Sequence, residues 1–343
     1  MPASSKFKST LSTAYVTRHI SQSDWSDFDA PFPTVFYFDA LILQYISGCS
    51  RAVYCGATTA HRKKRKNQSA KVYTDIDCII LDMDKKTYPQ IILLGDSIVQ
   101  NSSYLRDGFS FTACLEEHCA RRLQVVNLGL SGYNTSHALK IFEHLIPDPA
   151  SAKVAYLLIL FGANDACLPG GPTGQHVPLQ EYKDNIRAIL THPSVKAQNP
   201  EILLVTPPPV NEVHLEEEDH AKGYDSLTRL QEHTAQYSAV VRDIALEFKD
   251  RRVSLVDLWQ AIMQKAVQSR PGAATDINKI GTKDSGDDRI MRSLLTDGLH
   301  LSGEGYRIFW DEVRPLVGKQ WSREPLDAPS WVFPHWSIAP KIN

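Results

Sequence analysis

The sequence has little cysteine and still less methionine, six and four among 343 residues. Cys49, Cys55, Cys78, Cys114, Cys119 and Cys167 have no paired C-x-x-C spacing. That excludes a zinc ribbon or a small disulfide framework and reads as reduced thiols in a cytosolic protein. Cys114 and His118 fall on one helix face, but no second pair accompanies them, so no metal site is expected. Long apolar runs are missing too: none reaches the ~18 residues that a membrane helix requires. Neither charge sign is in excess, with 37 Lys and Arg against 39 Asp and Glu. A formal charge of −2 gives no global attraction to nucleic acid or to an anionic membrane. The opening residues lack a basic-then-apolar-then-small pattern, and no secretory signal is expected. G-x-G-x-x-G after the first strand, G-x-x-x-x-G-K-[ST] and G-x-S-x-G are all lacking. Dinucleotide, nucleotide and ordinary α/β-hydrolase sites therefore go without their fingerprints.

What is present divides unevenly. Residues 1–82 carry Ser, Thr and Lys early, an isolated apolar patch over Val35–Leu43, and the basic run Arg62-Lys63-Lys64-Arg65-Lys66. So few apolar residues in register cannot offset the entropy of ordering the segment, and it is expected to be a poorly ordered extension. The basic run reads as a solvated charge block, with a nuclear address as the alternative.

From Tyr88 the pattern becomes regular. Ile91–Leu94, Val125–Gly129, Val154–Phe161, Ile202–Val205 and Val253–Val256 read as strands, the third a central one buried on both faces. Helices are expected over Phe109–Leu123, His137–Leu145, from Pro178, along Leu227–Phe248, over Leu258–Val267, and after Ser302 as a cap. Arg270–Asp288 reads as a long polar loop, either a lid or disorder. Strands alternating with helices imply a parallel sheet covered on both sides. The domain is expected over 83–317, with a Trp- and Pro-rich tail, 318–343, packed on its surface.

Four segments fall at strand ends or in the loops beyond, and in an open parallel sheet such loops converge on one edge. They are Gly95-Asp96-Ser97, Gly129-Leu130-Ser131-Gly132-Tyr133-Asn134, Phe161-Gly162-Ala163-Asn164-Asp165 and Asp297-Gly298-Leu299-His300. Each alone is an ordinary turn composition. Together their chemistry is complementary. Ser97 is a poor nucleophile until a base takes its proton, and His300 is such a base. Asp297 can bond the other ring nitrogen and fix the tautomer. The Ser97 and Gly132 N–H groups and the Asn164 amide can receive an oxyanion. Cys167 and His176 are expected beside Asn164 as lining groups.

GDSI, NLGLSGYN, FGAND and DGLHLS, in that order, resemble the four blocks of the SGNH hydrolases, a branch of the GDSL esterase/lipase family. Ser97, Gly132, Asn164 and His300 fall on the four named positions. TYPQIILLGDSIVQ, HVPLQEYKDNIRAI, VTPPPV and TDGLHLSGEGY look like isoamyl acetate-hydrolysing esterases, and the likeness runs from about Tyr88 to Val317. The resemblance implies a flavodoxin-like three-layer α/β/α sandwich on a five-stranded parallel sheet. It also implies a serine esterase mechanism without cofactor or metal, acting on small acyl esters. A carbohydrate O-acetylesterase or a lysophospholipase is the alternative within that class. A nuclear or polyanion-binding protein on an inactive hydrolase scaffold is the alternative outside it. Three features depart from the pattern: residues 1–82, the length of Arg270–Asp288, and Ile98 where the motif has Leu.

A chain that starts at Met83 is expected to keep the kcat/KM and melting temperature of the full chain. Comparing the two by ester hydrolysis and thermal melting tests this; a loss of activity, or melting several degrees lower, gives the first 82 residues a supporting role.

Overall fold

The computed structural model describes residues 87–269, 276–324 and 330–338. The expectations for 1–82, including the basic run and the Met83 start, lie outside the described residues, as do 270–275 and parts of the tail.

Among the described residues the sheet has five strands: β1 (Gln90–Gly95), β2 (Gln124–Gly129), β3 (Val154–Leu160), β4 (Glu201–Val205) and β5 (Val253–Val256). All pairings are parallel and the order is β2-β1-β3-β4-β5. This is the flavodoxin-like order, in which the chain reverses direction across the sheet between β1 and β3. The three inner strands are apolar on both faces, whereas edge strand β2 stays half exposed.

Ten α-helices flank the sheet among the described residues. They are α1 (Ser97–Asn101), α2 (Phe111–His118), α3 (Thr135–Ile141), α4 (Leu179–Leu190) and α5 (Pro193–Gln198), then α6 (Glu212–Ala221), α7 (Gln231–Glu247), α8 (Leu258–Gln268), α9 (Arg289–Leu294) and α10 (Gly303–Val313). Strand alternation divides the core in two. Ile91, Leu93, Leu158, Leu160, Leu203 and Val256 join α1, α2, α8, α9 and α10 on one face. Ile92, Leu94, Leu157, Ile159, Leu204 and Val253 join α3, α4, α5 and α7 on the other. The pairing of β1 with β3 skips Ala155, a one-residue bulge that puts Val154 and Leu157 in the same core layer.

Several expected helices are shorter than their periodicity suggested. The Phe109–Leu123 expectation reduces to α2, capped by the Ser110 hydroxyl. The Leu227–Phe248 pattern becomes α7, because its first two apolar members, Leu227 and Leu230, lead into the helix rather than lie on it. His137–Leu145 becomes α3 followed by a 3-10 turn, Phe142–His144. In α10, Tyr306, Phe309 and Val313 are buried, and Phe309 stacks on Phe111 at 4.5 Å. The described part of the polar Arg270–Asp288 stretch forms two 3-10 turns, Ile277–Lys279 and Lys283–Ser285. The described tail residues meet the end of α2's loop, where Arg121 donates to the Phe333 and Pro334 carbonyls and lies 4.0 Å over the Trp331 ring.

β1 ends on a residue that has to be small. A Cβ on Gly95 would stand 2.3 Å from the Leu160 carbonyl oxygen and 2.4 Å from Val99 Cγ2. Gly95→Ala is therefore expected to cost about 1–3 kcal/mol through overpacking, read by urea unfolding; an unchanged midpoint contradicts this account of the strand end.

Candidate active site

Ser97 is the first residue of α1. The preceding Asp96 caps that helix, its Oδ1 accepting from the Ile98 N–H at 2.9 Å. Helix α10 holds the same turn, its Tyr306 hydroxyl donating to the Ile98 carbonyl at 2.7 Å. Some 200 residues further along the chain, an antiparallel bridge between Leu295 and Leu301 closes the loop that carries Asp297 and His300. Gly298 sits at its tip with φ +78° and its carbonyl accepts from the Asn211 N–H at 2.9 Å. A Cβ at Gly298 would stand 2.5 Å from the Leu215 nitrogen, so the loop can rest against α6 only with glycine there.

These two supports bring the predicted groups together. His300 Nε2 lies 2.8 Å from Ser97 Oγ, and His300 Nδ1 lies 2.6 Å from Asp297 Oδ2. Asp297 Oδ1 also accepts from the Leu299 and His300 N–H groups. Burial works to raise the Asp297 pKa. The bond and charge of His300 and the two N–H groups outweigh it and hold the carboxyl well below the usual carboxylate range. An ionised carboxylate only accepts, so Nδ1 must carry the ring proton. With that tautomer the ring's other nitrogen, Nε2, is the acceptor for the Ser97 hydroxyl.

The second and third segments flank this pair. Gly132 has φ +81°, and its turn closes through a Tyr133 N–H bond to the Leu130 carbonyl. Its own carbonyl accepts from Gln175 Nε2 at 2.8 Å. Neither the Ser97 N–H nor the Gly132 N–H meets an acceptor among the described residues. Asn164 is buried, its Nδ2 donates to the Tyr133 carbonyl at 2.8 Å, and its second N–H stays available. Asp165 binds the start of α3, accepting from the Thr135 N–H at 2.9 Å and from the Thr135 hydroxyl. Cys167 closes the Asn164 turn and is itself buried, while His176 Nδ1 meets the Cys167 carbonyl at 2.7 Å.

Reading by spacing missed three groups. Arg229, 65 residues after Asn164, donates to its Oδ1 at 2.9 Å, and no local pattern announces a contact at that separation. Gln175 clamps the Gly132 loop from a segment without periodicity. Asp96 is fully buried, although a polar residue after a strand ordinarily reads as an exposed turn. Burial, against the pull of the Ile98 N–H and the His300 charge, pushes its pKa from 3.8 up to about 7. Asp165 is likewise pushed by burial up to about 6.

The three free cysteines among the described residues are Cys114, Cys119 and Cys167. Those residues hold no cluster of three or more His, Cys, Asp or Glu suited to a metal. None of their helices is long and apolar enough to cross a membrane. A cavity of about 370 Å³ lies at the amino end of β4 and β5, lined in part by Lys196, Phe248, Arg251 and Arg252, and it carries no nucleophile with a base.

A hydroxyl, an imidazole and a carboxylate in series at the carboxyl edge of a doubly wound sheet make the arrangement of an acyl-transfer hydrolase. The model of the GDSL-like Lipase/Acylhydrolase family matches residues 93–308. The isoamyl acetate-hydrolyzing esterase 1 homolog of Mus musculus is 33% identical over 251 residues, which is 73% of this chain and 87% of that protein. A GDSL esterase/lipase of Arabidopsis thaliana is 33% identical over 254 residues, 73% of this chain and 93% of its own. Among solved structures, an acetyl xylan esterase, AlAXEase, is 19% identical at a TM-score of 0.47, covering 66% of this chain and 99% of that one. The chain belongs to the GDSL-like lipase/acylhydrolase family and is a carboxylic ester hydrolase.

The Asp96 carboxyl gives a pH prediction with a definite sign. Its pKa is raised in the fold, so the unfolded chain ionises first and stability falls as pH rises from about 4 to about 7. At ~1.4 kcal/mol per pKa unit, the ionised group opposes folding by at most about 4 kcal/mol above pH 7. Asp96→Asn keeps an oxygen for the Ile98 N–H but cannot ionise. Urea unfolding from pH 4 to pH 8 should show the variant gaining on the parent through that window; a constant difference means that Asp96 does not titrate there.

Proposed function

We propose that this chain is a serine esterase that hydrolyses short-chain, acetate-type esters through an acyl-enzyme on Ser97. The observation that carries the reading is the hydrogen-bonded series Ser97–His300–Asp297, at 2.8 and 2.6 Å. His300 Nε2 takes the Ser97 proton as Oγ attacks the ester carbonyl. Ionised Asp297 stabilises the imidazolium that forms. The Ser97 and Gly132 N–H groups and the free N–H of Asn164 receive the oxyanion of the tetrahedral intermediate. His300 then gives its proton to the leaving alkoxide, and the alcohol departs. Water, deprotonated by the same nitrogen, attacks the acyl carbon, and collapse of the second intermediate returns the proton to Ser97. No step needs a cofactor. The short acyl preference rests on likeness to relatives named for isoamyl acetate hydrolysis.

Residues 83–317 carry every group used in this cycle, so they are proposed as the catalytic domain. Compartment and nucleic-acid contact depend on nothing in the site.

Acetyl, butyryl and octanoyl esters of one alcohol, assayed with the parent chain and with Ser97→Ala and His300→Ala, test the reading. Both variants should fold and lose turnover, and covalent labelling by a fluorophosphonate should vanish in Ser97→Ala. Asn164→Ala should lose about 2.7–4 kcal/mol of transition-state stabilisation. For the parent, kcat/KM should fall from acetyl to octanoyl. Near-normal kcat in folded Ser97→Ala would end the assignment, and a preference for octanoyl would replace the small acyl site with a lipase-like groove.

A further inference from the structure

We infer that Arg229 is a positioning residue for ester hydrolysis, locking the Asn164 amide so that its nitrogen, never its oxygen, meets the oxyanion. The inference rests on the proposed role of Asn164 as an oxyanion donor.

Arg229 is 5% exposed, and burying a guanidinium is strongly unfavourable unless its donors are used. Nε donates to the Ala163 carbonyl at 2.6 Å, Nη2 to Asn164 Oδ1 at 2.9 Å and Nη1 to the Thr228 hydroxyl at 3.1 Å. Two of these three bonds fall on the turn that presents Asn164. The rigid fork of the guanidinium suits such a double contact, which the single ammonium of lysine cannot reproduce.

The chemistry of the contact matters more than its strength. An asparagine amide has nearly the same shape in its two flipped orientations, but one end donates and the other accepts. Arginine can only donate, so the end facing it must be Oδ1. Nδ2 is thereby turned to the other side, where one hydrogen meets the Tyr133 carbonyl at 2.8 Å and the second stays available. Flipping the amide would set Nδ2 against the guanidinium and Oδ1 against the Tyr133 carbonyl, two repulsive contacts in a buried place. It would also turn a lone pair toward a developing negative charge. A cation bonded to the amide oxygen further draws electron density from the nitrogen and strengthens its remaining N–H as a donor.

The cation has its own support. The Thr228 hydroxyl, which accepts from Arg229, donates to Asp219 Oδ2 at 2.8 Å, and the Thr228 N–H bonds the same oxygen. Asp219 is 2% exposed, so a buried carboxyl group faces the buried guanidinium across one hydroxyl. The segment is braced against the Asn164 turn, with the Leu168 N–H on the Thr228 carbonyl and His233 Nδ1 on the Ala166 carbonyl. Asp219, Thr228, Arg229 and Asn164 thus form one polar line ending at the proposed oxyanion site.

A double-mutant cycle in the full chain tests this. Arg229→Gln and Arg229→Lys are made alone and with Asn164→Ala, and kcat, KM and melting temperature are measured on an acetate ester. Alone, Arg229→Gln should lower kcat about 10- to 100-fold with KM changed less than about threefold, the pattern of a lost transition-state contact. Arg229→Lys should retain more kcat than Arg229→Gln. In the Asn164→Ala background, the same substitutions should change kcat by less than about threefold, because the amide they orient is gone. If Arg229→Gln does not fold, Arg229→Lys carries the same cycle. Equal losses in both backgrounds, or no loss in either, overturn the inference. Ser97→Ala separates the two claims: if it turns over ester, the esterase reading fails, whereas additive Arg229 losses beside an inactive Ser97→Ala remove only the role of Arg229.

Discussion

The Ser97–His300 hydrogen bond joins groups 203 residues apart in sequence. A bond of this kind contributes on the order of 1 kcal/mol net, while each ordered residue costs ~1–2 kcal/mol of backbone entropy. It cannot assemble the site; the fold must deliver both partners independently. Ser97 arrives on β1, whose Ile91–Leu94 are fully buried, through a turn fixed by the Asp96 cap and by the Tyr306 hydroxyl on Ile98. His300 arrives on a loop closed by the Leu295–Leu301 bridge and seated on α6 through Gly298. Because β1 and β3 are neighbours in the sheet, Asn164 emerges beside Ser97, and the Leu130 N–H ties the Gly132 loop to the Gly95 carbonyl.

What could be read in the sequence follows from the same hierarchy. All five strands and the amphipathic helices were legible, because burial writes short apolar runs for the strands and a helical period for the helices. Elements whose stability comes from elsewhere were not. Helix α1 has five residues and α9 six, too few to express a period. Helix α6, EVHLEEEDHA, buries only Glu212, Leu215 and Asp219. Its position depends on contacts far away: the Glu212 carboxylate accepts from the N–H groups of Gln231 and Lys283, and the Glu212 N–H reaches the Gly281 carbonyl. The candidate site was legible for a different reason. Ser97, Gly132, Asn164 and His300 each stand in a block whose residue order resembles a family. Arg229 stands in no such block, so its contact with Asn164 becomes visible only in three dimensions.

The region under the site is rich in buried ionisable groups, and this is where the fold departs from an ideal core. Asp96, Asp165, Asp219 and Arg229 are each 5% exposed or less. Asp96 and Asp165 each leave Oδ2 without a partner among the described residues. Apolar residues of similar volume would be neutral or better for stability. The bonds these groups do make run consistently toward the site: Asp96 to the turn of Ser97, Asp165 to the helix that follows the Gly132 loop, Arg229 to Asn164. Buried polar bonds are directional where apolar packing is not, and a site must be held in direction as well as in position.

That distinction explains why the three proposed oxyanion donors have such different surroundings. Two are backbone N–H groups. Their directions are fixed once the chain is fixed, by the first turn of α1 for Ser97 and by φ +81° for Gly132. Neither can flip, and neither needs a partner to say which way it points. The third is a side-chain amide with rotatable bonds and two ends of opposite polarity. Packing alone cannot choose between those ends, because they have nearly the same shape. Only a neighbour of fixed polarity can, and it has to act from both sides. The Tyr133 carbonyl accepts on one side and the Arg229 guanidinium donates on the other, at 2.8 and 2.9 Å. A long-range cation appears at the one donor whose orientation the backbone leaves open.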